Sequence, residues 1–370
     1  MEESFALKDM FSKESVGVLA QSIAAVDPQF QEENFLQGVF DQTWGQLELK
    51  QRMRQITINL GRLLPEDYPS ALKILKKALP LLTEQGFEKM VFPDYVETYG
   101  LEDWKSSIQA IEFFTQHVSA EFAIRLFIAR YPEETLKVML SWVNHPHPGV
   151  RRLASEGCRP RLPWGLRLRE LVVDPSPILP ILEKLKNDPR EEIRRSVANN
   201  LNDISKDHPD LVVEILSRWQ DPDDSDRCRL IKHALRTLLK AGHPGAMSLI
   251  GFSSTPEIRV ENIRLEPREI HLGEEVIFSF EILSTSREEQ QLMVDYVVHF
   301  LKASGTHSPK VFKLSQKTLK PGERIKITRK HGIKPITTRT YYPGVQIFQP
   351  QVNGVGFGKV EVTLKFPGQV

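Results

Sequence analysis

The sequence of 370 residues predicts a multidomain protein, α then β. A HEAT-like α-helical repeat solenoid is expected over residues 1–256, and an immunoglobulin-like β-sandwich over residues 257–370. Two observations predict this fold class. Apolar patterns of helical spacing, each followed by a similar proline-containing turn, recur through the first part. Short period-two patterns separated by Pro-Gly and Asn-Gly turns fill the second.

The helical repeat is visible as self-similarity along the chain. Tyr131–Trp142 matches His208–Trp219 at a shift of 77 residues, and Leu179–Lys186 between them has the same form. Each segment is followed by a proline-containing turn and then by a second helical pattern rich in arginine. Half of the shift is close to the period of HEAT and armadillo helix pairs, about 40–47 residues. Stacked pairs of this kind form a curved solenoid with a concave binding surface.

The β part begins after a plausible linker, Gly251–Pro256. Val276–Ile282, Met293–Phe300 and Val360–Phe366 alternate with period two and are rich in β-forming residues. We expect about seven short strands here, as in an immunoglobulin-like sandwich. No cysteine lies in this part of the sequence, so such a sandwich would lack the inter-sheet disulfide.

Composition narrows the class of protein. With 40% hydrophobic and 26% charged residues, the chain is expected to be globular. Its two cysteines, Cys158 and Cys228, are too few for a disulfide framework or a thiolate zinc site. It lacks an apolar run of membrane-spanning length, and its acidic start at Glu2 and Glu3 is unlike a secretory signal, so we expect a cytoplasmic protein. Familiar phosphate-binding, dinucleotide-binding and metalloprotease motifs are missing, and we predict neither a cofactor nor a metal.

Two basic blocks stand out against a net charge of +1. Residues 151–169 contain six arginines and one acid, and residues 299–339 contain eleven lysines and arginines and one acid. Such blocks favour a polyanionic partner, because binding releases counterions. The alternative is a solvated surface, and lysines also commonly protect an exposed strand edge.

The segment Val150–Gly165 departs from the repeat pattern. Glycines and prolines after Ala154 are expected to end the helix early and to create a loop that carries Arg159, Arg161 and Trp164. A tryptophan among arginines suits a stacking contact with nucleic acid. From spacing alone, a tryptophan that fills a gap between repeats is the more frequent case.

Three acids lie near arginine-bearing helical faces: Glu121 precedes Arg125 by four residues, Glu156 follows Arg152 by four, and Asp203 follows Arg195 by eight. Exposed ion pairs of this kind contribute only about a few tenths of a kcal/mol. On a concave face, however, a buried carboxylate cluster could stabilise positive charge that develops on a substrate. In the first of these segments Ser119 is a plausible helix N-cap.

Three segments, Ser119–Arg125, Arg151–Gly165 and Asn187–Ser205, resemble the bacterial HEAT-like-repeat alkylpurine DNA glycosylases AlkC and AlkD. The appended β domain resembles the immunoglobulin-like C-terminal domain that some members of the AlkC branch carry. The resemblance implies hydrolysis of the N-glycosidic bond of cationic alkylated bases, of the 3-methyladenine type, in duplex DNA. It also implies base excision repair without extrusion of the base, in contrast to most enzymes that act on bases. We expect a monomer that binds double-stranded DNA.

The resemblance also implies roles for individual residues. The catalytic set is Glu121, Glu156, Asp203 and Trp164, and the residues expected to bind DNA are Arg152, Arg159, Arg161, Arg194, Arg195, Lys310, Lys313 and Lys317. No lysine is singled out as a Schiff-base nucleophile, so we predict a monofunctional glycosylase without strand cleavage. The alternative is a non-catalytic HEAT-repeat scaffold that binds DNA or protein, since a fold does not dictate a function.

Overall fold

The structure is a computed structural model that describes residues 6–82, 86–336 and 339–366. The acidic start at Glu2 and Glu3 lies outside the described residues. Within them, sixteen α-helices precede nine β-strands, which confirms the predicted α-then-β fold class. None of the described helices is both long and apolar enough to cross a membrane.

The helices are numbered in chain order. Their bounds are α1 (Lys13–Ala24), α2 (Glu32–Val39), α3 (Leu49–Leu63), α4 (Tyr68–Ala78), α5 (Val91–Tyr99), α6 (Trp104–Phe114), α7 (Ala123–Arg130), α8 (Pro132–Trp142), α9 (Pro148–Glu156), α10 (Arg169–Val173), α11 (Leu179–Leu185), α12 (Glu191–Ile204), α13 (Pro209–Arg218), α14 (Ser225–Ala234), α15 (Arg236–Ala241) and α16 (Pro244–Leu249).

The self-similar segments of the sequence are helices in equivalent places. Pro132 and Pro209 begin α8 and α13, at the first helical position, where the missing amide hydrogen of proline costs nothing. The arginine-rich patterns that follow are α9, α12 and α14. These second helices pack side by side, α9 against α12 and α12 against α14, and α3, α5 and α7 form a similar row earlier in the chain.

Buried apolar side chains lie inside these rows. Ile56, Val96, Ile124, Leu153 and Val197 are buried, one from each of α3, α5, α7, α9 and α12. Full burial of an aliphatic side chain of this size stabilises the fold by roughly 1.5–3 kcal/mol. Polar side chains lie at the ends of these helices, and several of the predicted site residues are among them.

The β part forms two facing sheets. Its strands are β1 (Ile258–Glu266), β2 (Glu269–His271), β3 (Glu275–Ser284), β4 (Gln290–Leu301), β5 (His307–Leu319), β6 (Arg324–Gly332), β7 (Gly344–Val352), β8 (Val355–Gly356) and β9 (Val360–Lys365). One sheet has the order β1-β3-β6, and the other has the order β2-β9-β7-β4-β5, with β8 paired to β7. Alternate residues of β3 and β4, among them Phe278, Phe280, Tyr296 and Val298, fill the space between the sheets.

The helix-to-strand change falls between α16 and β1, but the compact units divide the chain earlier. One unit, the helical unit, runs to Asp207 and includes Asp221–Ala234. The other, the β unit, comprises His208–Gln220 and the chain from Leu235 onward. Helices α13, α15 and α16 therefore belong to the same unit as the β-sheets. Within that unit, side-chain amides of β7 and of the turn after it donate to the carbonyl oxygens of Lys240 (2.9 Å) and Ser253 (2.8 Å).

Candidate active site

The predicted early end of a helix is confirmed. Helix α9 stops at Glu156, and Gly157 follows as its C-cap. A Cβ atom on Gly157 would lie 2.6 Å from a methyl carbon of Ile124, so the close approach of α7 requires glycine. The chain then forms a loop until α10 begins at Arg169, and this loop carries Arg159, Arg161 and Trp164.

Trp164 projects from the loop instead of filling a gap between repeats. Its side chain is 70% exposed, and its φ of 61° is in the left-handed region. A bulky residue rarely adopts this conformation, which is held only where surrounding contacts require it. Here the ammonium group of Lys50 donates a hydrogen bond of 2.6 Å to the carbonyl oxygen of Trp164. The same ammonium group lies 3.9 Å from the centre of the Phe122 ring.

Arg125 fixes the base of the loop. Its guanidinium is fully buried and donates to the carbonyl oxygens of Gly157 (2.9 Å), Arg159 (2.7 Å) and Leu166 (2.6 Å). Burial lowers the pKa of Arg125 to about 10, which leaves the side chain charged at neutral pH. The expected pairing of Glu121 with Arg125 is therefore wrong, because backbone oxygens occupy this guanidinium.

Glu121 pairs instead with Arg152, at 3.2 Å, across 31 residues of sequence. The hydroxyl of Ser119 donates a further hydrogen bond of 3.0 Å to the same carboxylate. Ser119 is not a helix N-cap, since α7 begins at Ala123 and Phe122 precedes it without a side-chain cap. The Glu121 carboxylate remains partly open to solvent.

The other two acids share one arginine. Arg159 lies 2.6 Å from Glu156 through one terminal nitrogen and 2.8 Å from Asp203 through Nε. The Ser196 hydroxyl donates to the second Glu156 oxygen at 2.6 Å, and Lys206 binds the second Asp203 oxygen at 2.9 Å. Glu156, Arg159 and Asp203 are all buried. Asp203 therefore pairs with Arg159 and Lys206, and not with Arg195.

A cavity of about 340 Å³ connects these parts within the helical unit. Glu121, Glu156, Arg159, Lys50 and Trp164 line it together with an apolar wall. That wall consists of Phe11, Leu49, Met53, Phe87, Met90, Phe122, Leu162 and Pro163. Asp203 does not line the cavity and stands behind Arg159. Three of the four predicted catalytic residues thus meet at one opening.

The arginines predicted to bind phosphates differ in exposure and in the partners that already occupy them. Arg159 is buried between two carboxylates, so its predicted phosphate contact is wrong for this arrangement. Arg194 binds Asp226 at 2.8 Å and the carbonyl oxygen of Asp188 at 2.7 Å. Arg161 pairs with Asp207 at 2.7 Å and Arg152 with Glu121, but both remain partly exposed. Arg195 is exposed and has no hydrogen-bond or ion-pair partner in the part of the chain that the structure describes.

The three predicted lysines lie in the β unit on β5, an edge strand that pairs only with β4. Lys310, Lys313 and Lys317 are all exposed. Lys313 is in register with Asp295 of β4, a buried carboxyl. Burial raises the pKa of Asp295 to about 6, and the charge of Lys313 opposes that shift.

Sequence reasoning missed Lys50, Arg125 and Ser196. Arg125 belongs to a segment already singled out, but its role depends on carbonyl oxygens more than 30 residues away. No local sequence pattern marked Lys50, because its partner, the carbonyl oxygen of Trp164, is 114 residues away in the sequence. Across residues 6–82, 86–336 and 339–366, no group of three His, Cys, Asp or Glu side chains is placed to hold a metal ion.

Comparisons with known proteins agree with this geometry. Residues 88–238 match the family described as DNA alkylation repair enzyme, and residues 259–366 match the C-terminal Ig-like domain of the uncharacterised protein YhaZ. YhaZ of Bacillus subtilis (strain 168) is 40% identical over 348 residues, which cover 94% of this chain and 96% of that protein.

Among solved structures, the chain is similar to the Pseudomonas fluorescens alkylpurine DNA glycosylase AlkC bound to DNA containing an abasic site analog. The TM-score is 0.92 at 38% sequence identity, and the match covers 98% of this chain and all of that one. Both the helical part and the immunoglobulin-like part take part in this likeness. The chain belongs to the DNA alkylation repair enzymes, in the AlkC branch that carries a C-terminal immunoglobulin-like domain.

Proposed function

We propose that this protein hydrolyses the N-glycosidic bond of cationic alkylated bases, of the 3-methyladenine type, in duplex DNA. The main support is the cavity in which two carboxylates, Glu121 and Glu156, lie beside an exposed tryptophan. The likeness to AlkC bound to abasic-site DNA supports the same reading. The product would be a free base and an abasic site, the first intermediate of base excision repair.

The chemistry requires stabilisation of a cation more than a strong acid. A base that already carries a positive charge departs as a neutral molecule with the bonding electron pair, and C1′ of the deoxyribose gains oxocarbenium character. Water then adds its oxygen to C1′ and gives up one proton. Glu121 and Glu156 would stabilise the positive charge and accept that proton. Asp203 would act through Arg159 as a positioning residue.

The exposed position of Trp164 supports catalysis on a base that stays in the duplex. Its indole projects from a fixed loop and is free to contact a deoxyribose or the lesion face from outside the helix stack. An enzyme that extrudes its target usually buries the base between aromatic side chains, and extrusion requires unstacking of a base. We propose that this enzyme instead brings its acids to the sugar.

The environment of Lys50 supports hydrolysis without strand cleavage. Lys50 is the one lysine among the described residues that line the cavity. Its ammonium group donates to the Trp164 carbonyl oxygen and lies over the Phe122 ring. A Schiff-base nucleophile must bring its nitrogen to C1′ of the sugar, and both of these contacts would have to break first. We therefore propose a monofunctional glycosylase.

DNA binding would rest on side chains that the fold leaves exposed. In the helical unit Arg195, Arg152 and Arg161 are candidates for flanking phosphates. In the β unit Lys310, Lys313 and Lys317 form a basic edge. Changing the three lysines to glutamine should weaken duplex binding and lower the slope of affinity against salt concentration. Unchanged affinity would remove β5 from the proposed interface.

The function is tested by release of free base from methylated duplex DNA. We expect release by the wild type, a loss of about 100-fold or more in Glu156→Gln and Glu121→Gln, and a smaller loss in Asp203→Asn. Glu133→Gln, an exposed change of equal charge on α8, is the matched control. Duplexes containing 3-methyladenine, 3-methylcytosine or 1-methyladenine would define the substrate range. A wild type that releases no base above buffer would favour the non-catalytic scaffold.

A further inference from the structure

The β unit contains a second cavity, also of about 340 Å³, that has no part in the chemistry described above. Its wall comes from both sheets: Glu275 and His331 from β3 and β6, and Phe300 and Lys310 from β4 and β5. Strands β5 and β6 are edge strands of their sheets. The cavity therefore opens where the two sheets of the sandwich separate.

Aromatic rings form its floor. The rings of Phe312 and His331 meet edge to face at 4.8 Å, and those of Phe300 and Tyr341 do so at 5.7 Å. Phe300 and His331 are buried, whereas Phe312 and Tyr341 are partly exposed. Nδ1 of His331 lies 2.8 Å from the Tyr296 hydroxyl, which leaves Nε2 without a hydrogen-bond partner in the part of the chain described. The floor therefore offers two partly exposed rings, Phe312 and Tyr341, and one polar atom.

Cationic groups surround these rings. The Arg339 guanidinium lies 3.8 Å from the centre of the Phe300 ring, and the Lys310 ammonium lies 5.2 Å from the centre of the Phe312 ring. Neither cation has a carboxylate partner among the described residues. The one acid in the wall, Glu275, lies 3.9 Å from a third cation, Lys334. The opening therefore carries an excess of positive charge that the protein itself does not neutralise.

We propose that this cavity binds a nucleobase together with its phosphate, either as a free mononucleotide or as one residue of a single strand. The partly exposed rings of Phe312 and Tyr341 would stack on the planar base, with the Lys310 ammonium moving from the Phe312 ring to the phosphate, and such stacking is the sequence-tolerant mode of single-strand recognition. Arg339, Lys310 and Lys334 would neutralise the phosphate. An inorganic anion would make no use of the rings, and an apolar ligand would leave the cations unpaired. A cavity of this size is in the range of small-molecule sites, about 300–1,000 Å³.

The test uses the full-length protein and two probes, thymidine 5′-monophosphate and an eight-residue oligothymidylate, with affinities measured by calorimetry. The double variant Lys310→Gln/Arg339→Gln should weaken binding about tenfold or more, since two phosphate contacts are lost. Arg268→Gln/Lys359→Gln removes the same charge from exposed positions of the β unit outside the cavity and should change affinity less than twofold. Tyr341→Leu should weaken binding while the dependence on salt stays the same.

The two probes distinguish the sources of the ligand. If Lys310→Gln/Arg339→Gln weakens the binding of both probes, the cavity is a site for free nucleotides. If only the oligomer binds and the same variant weakens that binding, the cavity is a site for single strands. If neither probe binds, or if both double variants weaken binding equally, the proposal is wrong. Far-UV circular dichroism and urea denaturation of the same preparations show that each variant is folded. Base release from methylated duplex by the wild type is measured separately, so this proposal and the glycosylase function can fail independently.

Discussion

The ammonium group of Lys50 lies 2.6 Å from the carbonyl oxygen of Trp164 and links α3 to a loop 114 residues further along the chain. The contact anchors the backbone of Trp164, whose φ is 61° and whose indole is exposed beside Glu121 and Glu156. Lys50 would thus serve the proposed reaction as a positioning residue. Its position suggests that the orientation of the indole depends on the first helices of the chain.

Replacing Lys50 should impair base release more than stability. Lys50→Met keeps an apolar stem but loses the hydrogen bond to Trp164, and we expect the single-turnover rate to fall about tenfold, equivalent to about 1.4 kcal/mol. Because Lys50 is exposed, the free energy of unfolding should change by less than about 1 kcal/mol. Lys73→Met, an exposed change on α4, is the control. Equal rates for the two variants would show that the lysine does not position the loop.

Trp164→Gly should separate activity from stability even more sharply. Glycine adopts a φ of 61° without steric cost, so the variant relieves backbone strain while it removes an exposed side chain. Denaturant unfolding should show a stability within about 1 kcal/mol of the wild type. Base release should fall to near the level of Glu156→Gln. Full activity in this variant would exclude the indole from contact with the substrate.

Arg125→Lys should have the opposite profile. A lysine cannot reach three carbonyl oxygens at once, so buried acceptors of the loop would lose their donors. We expect a loss of about 2–4 kcal/mol in the free energy of unfolding, measured by urea denaturation. Arg130→Lys, an exposed change on the same helix, should be close to neutral. Wild-type stability in Arg125→Lys would mean that the loop does not depend on this guanidinium.

The sequence was sufficient for the fold and for three of the residues that line the candidate site, Glu121, Glu156 and Trp164, but not for the contacts among them or for Lys50. The local signals are proline at the first helical turn, apolar spacing and the repeated proline-containing turns. They located α8, α9, α12 and β3 correctly. Glu156 and Trp164 were found because glycines and prolines interrupt a repeat at that point. Helix spacing correctly placed Glu156 beside Arg152, at 3.9 Å, but it gave the wrong partner for the other two acids, because Glu121 and Asp203 pair across 31 and 44 residues. Such pairings depend on how repeats stack, and one repeat alone does not encode them.

Asp295 should make the stability of the β unit dependent on pH. Burial raises its pKa from 3.8 to about 6, so between these values the folded state binds the proton more tightly than the unfolded state. The contribution of Asp295 to stability is therefore greatest below pH 4 and is lost as the pH rises through 6. Burial lowers the pKa of His331 to about 4, so the contribution of His331 to stability has the opposite pH dependence. It is present at neutral pH and is lost as the pH falls below about 6.5. A comparison with Asp295→Asn isolates the carboxyl, because His331 is common to both proteins.

Asparagine keeps an oxygen that can accept the backbone hydrogen bond from Leu314, and it carries no charge at any pH. We expect Asp295→Asn and the wild type to have similar stability at pH 4. Above pH 7 the variant should be more stable by roughly 1–3 kcal/mol, the upper figure being the full linkage value and the lower allowing for the lost attraction to Lys313. Urea denaturation at pH 4, 5, 6, 7 and 8 measures the difference directly. A difference that does not change with pH would show that the carboxyl is ionised throughout this range.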